Sequence, residues 1–89
     1  MNKQQAQVEA AREILRTLVK DSPYTATYVA QQVGEEYTTF LHRLKGERKS
    51  YQQLDTALVV NILAVLDFPL SEFFTRVEER AAEILQSQE

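Results

Sequence analysis

The chain has only two glycines, Gly34 and Gly46, and the segment they punctuate limits what the rest can be. From Thr25 to Gly46 the sequence reads TATYVAQQVGEEYTTFLHRLKG. Tyr28, Val29 and Val33, with Ala30 among them, recur at helical spacing before Gly34, and Tyr37, Phe40, Leu41 and Leu44 recur after it. This is the pattern of two amphipathic helices with a break between them. A glycine just past the last periodic residue suits the left-handed position that ends a helix, and both glycines stand there. Helices this short are not stable in isolation, so the flanking segments must cover their apolar faces. The exposed face of the second helix is then the expected working surface.

The flanks are built for that task. Val8, Ala11, Leu15 and Leu18, widened by Ile14 and Val19, predict a first helix over residues 4–20 with fraying ends through Gln5. Glu9, Arg12, Glu13 and Arg16 lie off this stripe, on a face expected to meet solvent and to form weak i, i+3 pairs. Asp21-Ser22-Pro23 stops the helix, and Thr25 is the expected N-cap of the next. After Gly46 the link Glu47-Arg48-Lys49-Ser50 is polar, with Ser50 as the expected cap of a fourth helix, Tyr51 to Leu66. That helix is apolar on nearly every side, which predicts a place at the centre of a bundle. Asp67 takes a left-handed helix end and Pro69 the first turn of a fifth helix. Its stripe runs Leu70, Phe73, Phe74, Val77, Ala81, Ile84 and Leu85. The expectation is an all-α fold of five helices.

With 89 residues and 44 % hydrophobic content, one small domain with a modest core is expected. The formal charge of −3 is unevenly placed. Residues 1–20 hold four bases and two acids, residues 21–50 four of each, and residues 67–89 two bases and six acids. Arg43, Lys45, Arg48 and Lys49, against Glu47, form one short basic patch. With no cysteine, one histidine and neither HExxH nor CxxC spacing, no metal, cofactor or enzyme activity is expected. No signal-peptide run is present, and no apolar stretch reaches the ~18–20 residues that span a bilayer. The expectation is a cytoplasmic protein with no membrane partner.

Three stretches, in this order and spacing, resemble the Cro-type or XRE-type helix-turn-helix DNA-binding domains of phage repressors and bacterial regulators. Thr25 to Gly34 is similar to the family's Thr-Gln-x-x-Leu-Ala-x-x-x-Gly, with Ala30 where the two helices cross and Gly34 at the turn. Gly46-Glu47-Arg48-Lys49 is similar to its Gly-Lys-x-x loop, and Asn61 to Phe74 to its closing Leu-Ala-x-x-Leu-Gly-Val-x-x-x-Asp/Glu-Leu-Phe. The chain departs from the pattern at Ala26, where many members have glutamine, at Glu35 and Arg43, where apolar residues are usual, and at Glu36, in place of a Ser or Thr cap.

The resemblance implies a lambda-repressor-like bundle over residues 1–74 with a helical extension at 75–89. It implies that the second helix of the pair enters the major groove of double-stranded DNA. Glu36, Tyr37, Thr38, Thr39, His42 and Arg43 are then the base-facing candidates, and Thr25, Thr27, Lys45, Arg48 and Lys49 the phosphate-holding ones. Val77, Ala81, Ile84 and Leu85 have two readings. They fold back on Val8 to Val19 of the same chain, or they pair with a second copy. The second is preferred, because one small domain reads about half a site. The implied function is a small homodimeric repressor. The same fold serves antitoxins of toxin–antitoxin pairs, which would add a toxin as protein partner. A different class, a protein-binding adaptor or anti-repressor, is the alternative that the net acidity favours.

Overall fold

The computed structural model describes residues 1–46 and 54–88. It is all-α, with five helices in chain order and no strand among the described residues: α1 (Lys3–Asp21), α2 (Ala26–Gln32), α3 (Tyr37–Lys45), α4 (Thr56–Leu66) and α5 (Leu70–Gln86). The expectations for Arg48, Lys49 and Ser50, for the link Glu47–Ser50 and for Tyr51 to Gln53 lie outside the described residues.

Each helix has a local reason to begin and end. Instead of fraying, α1 starts with a capping box: the Asn2 side chain accepts from the Gln5 amide at 2.8 Å and the Gln5 side chain from the Asn2 amide at 2.9 Å. Thr25 caps α2, its hydroxyl accepting from the Tyr28 amide at 3.1 Å. The end of α2 is a Schellman turn, in which Glu35 N–H donates to Ala30 C=O at 2.9 Å and Gly34 N–H to Gln31 C=O at 3.1 Å. Gly34 sits at φ 76°, which an L side chain adopts only with strain. Asp67, at φ 54°, closes α4 in the same way: Phe68 N–H donates to Leu63 C=O and Asp67 N–H to Ala64 C=O. The cap of α4 is Asp55, whose carboxylate accepts from the Leu58 amide at 2.7 Å. Pro69 stands one residue before α5, as its N-cap.

The centre of the bundle is α1 rather than α4. The first helix touches all four others. In α4, Leu58, Val59, Ile62 and Leu63 are buried while Ala57, Val60 and Ala64 face outward. The reason is geometric: only three or four positions per two turns of a peripheral helix can reach the core, whatever their neighbours are. The buried face of α1 is correspondingly shifted to Ala6, Ala10, Leu15 and Val19, and Val8 is 44 % exposed.

Antiparallel to α1 runs α5. Ala82 and Leu85 line one groove with Lys3 and Gln7, and Arg76 another with Thr17 and Leu18. Burial of Ala6 and Ala10 on α1 and Ala81 on α5 fits a close approach of the two axes. The fifth helix runs unbroken across position 74, and its second half belongs to the same core as its first. Phe73 is fully buried, whereas Phe74, expected in the core, is 50 % exposed.

Candidate functional site

With Phe40 and Leu44 buried, α3 turns inward along one edge. Its opposite edge is then Thr38, His42 and Lys45, spaced i, i+4 and i+7. Thr38 and Lys45 are exposed, and His42 and the flanking Thr39 half-buried. Tyr37 opens the helix with 45 % exposure, and Glu36 is an exposed N-cap whose side chain makes no capping bond. Beside this edge lies α2, with Thr25 and Thr27 exposed. Tyr24 and Tyr28 stack across the start of α2 with ring centroids 5.0 Å apart. The Thr25 hydroxyl accepts from the Tyr28 amide, and its O–H remains available to donate to a ligand.

Arg43 stands apart from the other base-facing candidates. It points toward α4 rather than outward. Its Nη1 lies 2.9 Å from Glu35 Oε1 and 3.4 Å from Asp55 Oδ2, and the side chains of Arg43 and Glu35 are only 22 % and 21 % exposed. Glu35 and Arg43, two of the positions that depart from the resembled pattern, therefore meet. An ion pair occupies the place of an apolar contact, and it ties the turn before α3 to the cap of α4. Among the described residues the buried Arg43 Nε has no hydrogen-bond partner.

The far end of α3 is held by α1. Arg12 donates from Nη1 to the Arg43 carbonyl, and Arg16 from Nη1 to the Leu44 carbonyl at 2.8 Å. These carbonyls have no acceptor role left within the helix, and two guanidinium groups satisfy them while offsetting the negative end of the helix dipole. Arg12 is 8 % exposed. Burial pushes its pKa down from the ordinary arginine value, with Glu9 opposing the shift and Arg16 adding to it. Both arginines were expected to face solvent. Their off-stripe spacing on α1 carried no sign that α3 ends against them. Glu13, expected to pair with Arg16, instead receives Arg80 Nε at 3.1 Å from both carboxylate oxygens.

The candidate dimerisation residues lie elsewhere. Val77, Ala81 and Ile84 are buried within the single chain and Leu85 is half-buried, in the core that α1 and α5 share. The chain folds back on itself along this stripe, so a second copy has no access to these three residues without displacing α1.

No group of three His, Asp or Glu side chains among the described residues is placed to hold a metal ion. Among the described residues no single helix is long and apolar enough to cross a membrane. No protein-family model, curated protein or solved structure matches the chain.

Proposed function

We propose that this chain is a sequence-specific DNA-binding regulator of the helix-turn-helix kind, acting in the cytoplasm as a repressor. The observation that carries the reading is the outward edge of α3. Thr38, His42 and Lys45 form a polar stripe on a short helix whose last turn is held by the Arg43 bridge to Glu35 and Asp55 and by Arg12 and Arg16 on its final carbonyls. A recognition helix needs such rigidity, because base contacts made from a loosely held element lose their geometry. His42 can donate to guanine, Thr38 can meet a thymine methyl, and Lys45 can hold a phosphate. Arg43, committed to two carboxylates, supports the helix and does not read a base.

A protein-binding reading, as adaptor, anti-repressor or antitoxin, draws on one specific observation. The start of α2 and the head of α3 expose three tyrosines, Tyr24, Tyr28 and Tyr37, next to an exposed Glu36. Tyrosine is enriched in protein–protein interfaces relative to the rest of the surface. A single titration separates the two. The protein is added to duplex DNA from upstream of its own gene over a range of salt concentrations. Tight binding that weakens steeply with salt is the result the DNA reading requires. Absence of binding at low salt leaves the protein-binding reading in its place.

A further inference from the structure

Between Asp55 and Asp67 the chain carries no charged side chain. This stretch is α4, whose inner face, Leu58, Val59, Ile62 and Leu63, is committed to the core. Its outer face is Ala57, Val60, Asn61 and Ala64, all exposed. They stand at i, i+3, i+4 and i+7, a single seam along the helix. Three apolar residues, one neutral amide and no ion are the reverse of what a solvent-facing helix carries. The seam widens onto α5. Phe74 shares a groove with Thr56 and Val59. Val60 stands one turn beyond Thr56 on α4, and Leu70 one turn before Phe74 on α5. Val60, Leu70 and Phe74 are all large and exposed. An apolar patch of this kind marks a surface that meets another molecule.

We infer that this face joins two copies of the chain about a two-fold axis. Charge selects the occupant. A two-fold sets a surface against its own copy, so a charge at its centre meets a like charge. The outward sides of α1, α3 and α5 all carry ions. The uncharged α2 exposes Thr27, Tyr28, Gln31 and Gln32, which are polar. Among the described helices, α4 alone presents a neutral face that gains by leaving water. Asn61 stands near the middle of the seam, and an amide complements its own copy because it both donates and accepts. Ala57 and Ala64, on either side, let two α4 axes come close. The eleven residues of α4 make a helix about 16 Å long. That is too little for the roughly 800 Å² that each partner buries in a stable pair, so the contact needs Leu70 and Phe74 as well. The choice of a second copy rests in part on the DNA-binding reading, since one small domain covers about half a site. Asp55, the cap of α4, lies 3.4 Å from Arg43 of α3. Pairing through α4 therefore fixes the separation of the two α3 helices.

The test is sedimentation of the full chain, without DNA, over the micromolar range. Wild type is expected to pass from the mass of one chain to that of two as concentration rises. Val60→Glu sets like charges against each other across the axis and is expected to raise the dissociation constant roughly a hundredfold or more. Gln86→Glu adds the same charge at the opposite end of α5, where Gln86 is exposed, and is expected to pair as wild type does. The chain has no cysteine, so a single introduced thiol reports proximity independently. Under mild oxidation Asn61→Cys is expected to link two chains faster than Gln86→Cys. A wild type that stays monomeric overturns the interface, as do equal effects of the two glutamates or equal rates of linkage. A pair that forms through this face but leaves duplex DNA unbound at low salt keeps the interface and removes the DNA-binding reading. A monomer that binds the duplex does the reverse.

Discussion

The guanidinium of Arg12 fills the space that a side chain at Gly46 would need. A Cβ built on Gly46 would stand 2.6 Å from Arg12 Nη1 and 2.8 Å from Cζ. Gly46 also has φ 70°, so two independent demands converge on glycine: the left-handed backbone and the arginine behind it. Gly34 carries the first demand alone, with φ 76° and nothing within 4 Å of its Cβ position. Gly34→Ala should therefore cost about 1–2 kcal/mol, the strain of a left-handed alanine. Gly46→Ala should cost more, because Arg12 must also move off the Arg43 carbonyl. Urea unfolding of the two variants checks the order, and equal losses would contradict it.

Asp67 offers the opposite case. It occupies the left-handed end of α4 at φ 54°, a conformation glycine adopts without strain. Asp67→Gly should raise stability by up to roughly 1 kcal/mol, and Asp67→Ala should lower it. Thermal melts of the pair would show midpoints moving in opposite directions from wild type.

Ile84 lies in the core between α1 and α5. Ile84→Ala should destabilise by about 2–5 kcal/mol, the cost of a cavity left by a buried aliphatic chain. Because the contact is made within one chain, the loss should be the same at low and high protein concentration. A loss that shrinks as protein concentration rises would assign Ile84 to a subunit interface instead.

Arg43 and His42 are adjacent in sequence but should fail in different assays. Arg43→Ala leaves Glu35 half-buried without its partner and should cost about 1–3 kcal/mol of stability. His42→Ala should instead relax discrimination among DNA sequences, with a melting midpoint closer to wild type than that of Arg43→Ala. A selection from random duplexes, read beside thermal melts, tests both. If Arg43→Ala alters sequence preference while its midpoint stays at the wild-type value, the supporting role given to Arg43 is wrong.

Five helices and their approximate ends could be read from the chain because the signals are local. Thr25, Gly34, Gly46 and Asp67 act on their own turns, and an apolar period needs no knowledge of its partner. What could not be read was which helix the others surround. The crowded apolar residues of α4 pointed to the centre, but composition measures how much surface wants burial, not which surface neighbours reach. Alanines decided the matter instead: Ala6 and Ala10 contribute little to a hydrophobic stripe, yet on α1 they are fully buried in the shared core. The surroundings of the arginines could not be read for a related reason. Arg12, Arg16 and Arg43 look alike in sequence as surface cations, and only the meeting of α1, α3 and α4 turns them into caps and an ion pair. Glu35 and Arg43 were legible as anomalies, though not as each other's partner.

The packing of α5 on α1 runs against the direction of synthesis. Of the five helices, α1 is made before the others and holds the far end of α3, and α5 is made after them and covers α1. Until residues 70–86 are free to dock, the face of α1 that carries Ala6 and Ala10 lacks its cover, and the helix that positions α3 lacks its own support. Loss of the final turns by proteolysis should therefore silence a surface on the other side of α1 without touching any residue of it.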